Sequence, residues 1–188
     1  LNFYEGIAQA YQNIVANLFY LNRIDSIPAE YQNYLQEFIT DSTSYYYGAQ
    51  MMRLQGRMLI KQGKYEEAID IFQKSYERNK NGNDTRGMSS SAVLLAKAYK
   101  DIGDHNSAIQ FALLASDLAS RTSWLIIQIT AADLLSQLYE ESGNKQKALD
   151  YLKLYRSLKE KSEELNNKAR LAEVEIQVVL KKNKEDIE

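Results

Sequence analysis

The chain contains no cysteine, one proline and one histidine among 188 residues. Without cysteine it has no disulfide bonds or thiolate metal ligands, and one histidine leaves too few donors for a typical zinc site. No apolar run approaches the roughly 20 residues that a membrane-spanning helix needs. The formal net charge of −2 provides no overall field that would attract nucleic acid or an anionic membrane.

Helix-breaking residues are also scarce, since Pro28 stands alone and the eight glycines are scattered. Long helices can therefore form along most of the chain, interrupted at glycine and at Asn/Asp clusters. No alternation of polar and apolar residues indicates strands, so we predict an all-α fold. No signal peptide is visible, and the last residues form helix-favouring sequence. We expect the chain to be a piece of a longer protein.

An internal repeat with a period of about 40 residues is the clearest pattern in the chain. Three glycines stand one such period apart, and each is followed five residues later by an alanine: Gly63 and Ala68, Gly103 and Ala108, Gly143 and Ala148. Seven residues before each glycine the side chain is small: Gly56, Ala96 and Ser136. Paired antiparallel helices approach closely where small residues face each other, and glycine lets the chain leave the first helix in a left-handed conformation. We therefore predict stacked helical hairpins in which Gly56 lies against Ala68 and Ala96 against Ala108.

This frame resembles the tetratricopeptide repeat (TPR) family. Gly56, Gly63, Tyr65, Ala68 and Phe72 follow the family pattern, with Leu59 in place of its tyrosine. The later two repeats keep the small residue, tyrosine, glycine and alanine but lack the aromatic residues, and the family proline is absent. The resemblance implies a right-handed α-solenoid of about four helical hairpins with a long C-terminal helix. The expected units are 1–45 (divergent), 46–84, 85–123 and 124–162, which together form an array over 1–162, and then a helix over 163–188.

Catalytic patterns are missing. His105 falls at the start of a second helix, where packing or capping explains it, and no nucleophile-elbow motif or glycine-rich phosphate loop is present. The adjacent pairs Glu66–Glu67 and Glu140–Glu141 diverge around a helix axis and do not form a dyad. We therefore expect no enzymatic activity, no cofactor and no metal site.

In TPR proteins the first helix of each hairpin lines the concave groove, and carrying those positions over gives the candidate binding residues. Arg53, Arg57 and Lys61 form one basic stripe at i, i+4 and i+8. Lys97 and Lys100 are expected beside it, which makes the groove basic in the middle and acidic toward its C-terminal end. The full set is Asn13, Asn17, Tyr20, Gln50, Arg53, Arg57, Ile60, Lys61, Ser90, Val93, Lys97, Lys100, Asp101, Thr130, Asp133, Gln137, Glu140 and Glu141. A carboxylate-bearing peptide is one expected ligand; a solvated face with weak salt bridges is the other interpretation.

The segment from Lys145 to the end lacks glycine and proline, so one helix of roughly 66 Å is predicted. Apolar or small residues recur after Leu158 at coiled-coil intervals: Leu165, Ala169, Ala172, Ile176 and Val179. Two uses fit this stripe equally. The helix either folds back to cap the last hairpin, or it forms a homodimer and relays a signal.

A narrower resemblance concerns Leu152, Tyr155, Leu158 and Lys159 before a charged helix. It is similar to the region before the membrane anchor in bacterial TPR sensors that carry a histidine kinase or a helix-turn-helix domain. This implies a sensor region for a peptide or protein ligand, periplasmic, touching the membrane only through a flanking anchor and not binding nucleic acid itself. The alternative is a free-standing cytoplasmic adaptor that brings partners together.

Overall fold

The computed structural model describes residues 45–185, together with Gly6, Ala10, Asn13, Ile14 and Asn17. Six helices make up the continuous part: α1 Tyr45–Lys61, α2 Tyr65–Asn81, α3 Thr85–Asp101, α4 His105–Arg121, α5 Leu125–Glu141 and α6 Lys145–Glu185. The five separate residues are helical as well. The rest of the predicted divergent unit 1–45 lies outside the described residues.

Each helix packs against the next one along the chain, and the first helices of successive hairpins, α1, α3 and α5, also contact one another. The described part of the chain contains no strand. The protein is therefore an all-α solenoid of stacked hairpins, which confirms the predicted fold class. This arrangement places α1, α3 and α5 side by side along one face.

Turns of the same backbone geometry join the helices. The helices of the continuous part begin at equal intervals along the sequence, and the turns share a hydrogen bond that closes the preceding helix, such as Lys64 N–H to Leu59 O at 2.9 Å and Trp124 N–H to Ala119 O at 2.9 Å. The three predicted glycines have φ values of 75°, 82° and 78°, which confirms their left-handed conformation. Asn83 and Ser123 take the same position in the other two turns with φ values of 53° and 52°. The sequence pattern did not indicate these two.

Within a hairpin, small residues do let the helices approach, though not always through the predicted partner. Ala96 and Ala108, the other predicted pair, belong to one buried cluster together with Ala112. Beside Gly56, however, the nearest atoms belong to the ring of Phe72, one turn beyond Ala68. The nearest neighbour of Gly56 is therefore not the expected Ala68 but an aromatic ring that lies on the bare backbone of α1.

Aromatic pairs repeat with the same period. Tyr99 stacks on Phe111 with ring centroids 5.5 Å apart, and in the next hairpin Tyr139 stacks on Tyr151 at 5.6 Å. Each pair joins the first helix of a hairpin to the second near the connecting turn. Stacked rings bury a large apolar area in a defined geometry, so these pairs fix the separation of the helices they join.

The first and second hairpins also meet through buried polar groups. The Ser75 hydroxyl donates to the backbone oxygen of Ala49 at 2.8 Å, and it lies 3.0 Å from the Ser91 hydroxyl. Asn79 Nδ2 donates to Ser91 Oγ at 3.2 Å. Because these side chains are buried, the hydrogen bonds restrict how α2 and α3 can be placed against each other.

The helix α6 is one uninterrupted element that continues past the hairpin it forms with α5. Among the described side chains of α6, Ser162 is the last that is partly buried, and those of residues 163–177 are exposed. The fold-back cap, one of the two predicted uses of the tail, is therefore not formed by these residues. None of the described helices carries an apolar stretch long enough to cross a membrane.

Candidate functional site

The candidate site is the groove lined by α1, α3 and α5, called here the first-helix groove. Three cavities along it have volumes of about 270, 190 and 340 Å³. Of the residues predicted from the family resemblance, those lining a cavity are Gln50, Arg53, Arg57, Ile60, Lys61, Ser90, Val93, Lys97, Lys100, Asp101, Thr130, Asp133 and Gln137. Lys97 lines all three cavities. It therefore stands where they adjoin, at the centre of the groove.

The basic side of the groove is formed by α1 and by the middle of α3. Arg53 and Arg57 lie one turn apart on α1, and Arg57 and Lys97 line the same two cavities. The groove walls partly desolvate both groups, although each keeps contact with water. Burial lowers the pKa of Arg57. Burial, followed by the positive charge of Arg57, also lowers the pKa of Lys97, while Asp133 and Asp101 act in the opposite direction.

The lowered pKa values of Arg57 and Lys97 mean that burial makes their charged forms less favourable than in water, and for Lys97 the neighbouring Arg57 adds to this effect. A cation in a partly desolvated site beside another cation is destabilised, and an anion placed between them would relieve the repulsion. Gln50 adds a polar group to the same cavity, and its buried Oε1 has no hydrogen-bond partner among the described residues. The basic side can therefore accept an anionic group together with a hydrogen-bond donor.

The C-terminal side of the groove is organised around Lys100. Its ammonium donates to Gln137 Oε1 at 2.7 Å and lies 3.1 Å from Glu141 Oε1. The amide of Gln137 donates in turn to Asp133 Oδ2 at 3.0 Å. Lys100 is thus compensated by groups of α5, as the salt-bridge interpretation expected. Glu140, on the last turn of α5, is exposed.

The groove also has an apolar wall, and of its residues only Val93 was among the positions assigned to the site from the sequence. The cavity beside Arg53 is lined by Leu54, Val93 and Leu94 and by two residues from the first turn of α5, Ile126 and Ile127. Ile127 is buried, whereas Ile126 is 65% exposed. A signal for this wall exists in the apolar run that begins at Trp124, because one face of a helix cannot bury every residue of a continuous run.

The remaining predicted site residues lie elsewhere. Asn13 and Asn17 are exposed on helical backbone, and Tyr20 lies outside the described residues. Leu165, Ala169, Ala172 and Ile176 are exposed on the tail and line none of the three cavities. The side chain of Val179 is outside the described part of the structure.

No arrangement for metal chemistry was found among the described residues, where no three His, Asp or Glu side chains converge. His105 begins α4, and its Nδ1 lies 3.4 Å from Glu141 Oε2. Glu141 therefore faces both Lys100 and His105, which ties the start of α4 to the end of α5. His105 thus lies where the second and third hairpins meet, with 43% of its side chain exposed.

Comparison with known proteins agrees with the geometry. The tetratricopeptide repeat family model matches residues 49–121. A crystal structure of a Podosopora anserina protein classed as a kinesin light chain, with nearly identical TPR-like repeats, has a TM-score of 0.55 at 13% identity, covering 86% of this chain and 99% of that one. A single-substitution variant of that protein gives 0.52 at 14% identity, covering 83% and 96%. At such low identity, the TM-scores show a similar fold alone. No curated protein sequence matches this chain significantly.

Proposed function

We propose that this chain is a non-catalytic binding module that holds a peptide or an extended segment of a partner protein in the first-helix groove. The match of the tetratricopeptide repeat family model to residues 49–121 and the similarity to solved repeat structures support this proposal. Tetratricopeptide repeats form protein–protein interaction modules, and stacked hairpins of this kind present extended concave surfaces to their ligands.

The observation that carries the proposal is the cluster of Arg53, Arg57 and Lys97 against an apolar wall. Guanidinium groups pair with carboxylates through two parallel hydrogen bonds, so two arginines one turn apart suit an acidic segment or a chain terminus. The isoleucines and leucines beside them suit an apolar side chain. The preferred ligand is therefore a peptide with a carboxylate next to an apolar residue.

The charges at the other end of the groove set the direction of the ligand. Lys100 is compensated by Glu141, while Asp133 and Glu140 leave that end acidic. A peptide with its acidic end at Arg53 and Arg57 would place its other end near Glu140, where a basic residue is favoured. Charge complementarity of this kind contributes to orientation and association rate more than to affinity.

For the cellular role, we propose the sensor region of a bacterial signalling or transcription-regulating protein. The continuation of α6 out of the last hairpin supports this role, since a groove-lining helix packs directly against a helix that leaves the array. Relay through α6 requires that the ligand bind one conformation of the array better than another. A sensor of this type would be periplasmic. The second candidate is a cytoplasmic adaptor without relay.

The gene sequence distinguishes these two roles. A hydrophobic span encoded beyond Glu188, followed by a kinase or a helix-turn-helix domain, supports the sensor. A stop codon directly after Glu188 supports the adaptor. Either result leaves the proposed use of the groove intact.

The groove itself is tested with a pool of peptides that end in acidic residues. Wild type is compared with Arg53→Glu/Arg57→Glu, and the control is Lys74→Glu/Lys80→Glu, which makes the same change of charge at exposed positions of α2. We expect the groove variant to lose affinity by roughly tenfold to a hundredfold, because two charge-assisted contacts become repulsive. The control should bind like wild type. Equal binding by the groove variant would remove the basic cluster as the binding site.

A further inference from the structure

The tail of α6 extends well beyond the helix it packs on. The helix α5 has 17 residues, whereas α6 has 41. Residues 163–185, called here the overhang, therefore continue for about 34 Å past the hairpin at about 1.5 Å per residue. Described side chains of the overhang are exposed, including large apolar ones.

The hairpin portion of α6 also leaves a stacking surface uncovered. On α4, Leu114 packs on the cluster shared with α5, and Leu118 is only 5% exposed. Leu154 and Leu158 take the corresponding positions on α6, one repeat later, and no hairpin follows among the described residues. Leu154 is consequently 40% exposed. The end of a repeat array needs such a surface to be covered.

This surface continues into the overhang along one side of the helix. Following Leu158 at intervals of 7, 4, 3 and 4 residues are Leu165, Ala169, Ala172 and Ile176. These intervals are those of the seam of a coiled coil. Leu165 is 51% exposed and Ile176 is 59% exposed. The apolar stripe is thus presented to solvent over its whole described length.

The charges beside the stripe are complementary to those of a second identical stripe. Lys168 directly precedes the seam residue Ala169, and Glu173 directly follows the seam residue Ala172. In a parallel pair of helices, Lys168 of one helix faces Glu173 of the other across the seam. In an antiparallel pair Lys168 faces Glu175 instead. Lys168 pairs with Glu164 of its own helix at 2.6 Å, but both side chains are mostly exposed, so this contact exchanges readily.

We propose that a second copy of this chain covers the exposed stripe of α6, so that two overhangs pair as a two-stranded coiled coil. The stripe gives the apolar contact, and Lys168 gives an attractive charge contact in either direction of pairing. Such a dimer would also bring the uncovered surface at Leu154 and Leu158 close to the partner. This proposal concerns a surface separate from the groove and holds whether or not the groove binds a peptide.

Sedimentation across a concentration series tests the dimer. Wild type should pass from monomer to dimer, and Leu165→Gln/Ile176→Gln should weaken the dimer by roughly a hundredfold, because two apolar side chains leave the contact. The matched control is Leu171→Gln/Val174→Gln, since these residues are equally exposed on the opposite side of the same helix. The control should dimerise like wild type. All four positions are exposed, so the monomer should fold in both variants.

Charge reversal then identifies the pairing. Lys168→Glu should weaken the dimer, whereas Arg170→Glu, which points away from the stripe, should not. Adding Glu173→Lys to Lys168→Glu should restore a parallel dimer, and adding Glu175→Lys should restore an antiparallel one. Restoration of the dimer by either second substitution supports the proposal. A wild-type chain that stays monomeric at every concentration, or one whose dimer survives Leu165→Gln/Ile176→Gln unchanged, overturns it.

Discussion

The ring of Phe72 lies directly on the backbone of Gly56, in the space that a side chain at that position would need. This contact joins the two helices of the first complete hairpin described. It belongs to a buried core that reaches α3 through Leu95 and Ala98. The glycine therefore determines how closely α1 and α2 approach, and with them one wall of the groove.

Replacing Gly56 by alanine should destabilise the protein. In an open helix, Gly→Ala stabilises by about 0.5–1 kcal/mol, because glycine loses more chain entropy on folding. At Gly56 the added methyl group overlaps the Phe72 ring, and overpacking of this kind costs about 1–3 kcal/mol. Urea unfolding measures the difference. Gly6→Ala is the control, because nothing lies within 4 Å of its added carbon. A gain in stability for Gly56→Ala would show that the ring is not held there.

Replacing Ser123 by glycine should stabilise the protein. Ser123 has a φ of 52°, in the region that costs a side-chain-bearing residue about 1–2 kcal/mol. After allowing for the greater chain entropy of glycine, we expect a gain of about 0.5–1 kcal/mol in the free energy of unfolding. Gly103→Ala reverses the change in an equivalent turn and should destabilise. If both variants unfold like wild type, the turns do not depend on left-handed backbone.

Replacing Lys97 by methionine should separate stability from binding. Because burial and Arg57 lower the pKa of Lys97, its positive charge weakens the folded state at every pH below the folded-state pKa. Methionine keeps the chain length without the charge, so thermal stability should hold or rise at neutral pH. Affinity for acidic peptides should fall, because the cation at the centre of the groove is gone. A clear loss of stability would mean that Asp133 and Asp101 outweigh the cost of burial.

The stability of the fold should depend on the ionisation of Asp104 in acid. Hydrogen bonds from Ser107, whose backbone N–H donates to Asp104 Oδ1 at 3.0 Å, lower the pKa of this carboxyl at the start of α4. The ionised Asp104 carboxylate therefore contributes fully to the free energy of unfolding above the unfolded-state pKa of about 3.9. This contribution is lost as the pH falls through the lower folded-state pKa. Asp104→Asn should flatten the fall of thermal stability in that pH range. Asn144 shows that an amide can cap the equivalent position. An unchanged pH profile would contradict this assignment.

The repeat pattern predicted the stacked hairpins and the three left-handed glycines, because spacing fixes which positions share a helix face. The family resemblance supplied most of the residues that line the groove. The sequence did not indicate that Ile126 would be exposed, because apolar type alone favours burial. Nor did it show that Phe72 rather than Ala68 lies on Gly56, since ring placement depends on the angle between helices. The left-handed Asn83 and Ser123 were missed because neither is glycine. Glu141 compensates the charge of Lys100, but these two residues are distant in the sequence, so their contact can be recognised only once the fold is known.

The most direct test of the first-helix groove as the binding surface is NMR mapping of a peptide selected from the acidic-ended pool. Backbone amide shifts are recorded with and without the peptide. If the peptide binds in the first-helix groove, the largest shift changes should fall on α1, α3 and α5, centred on Arg53, Arg57 and Lys97. Changes confined to α2, α4 or the overhang would contradict it, because the groove is built from the first helices of the hairpins.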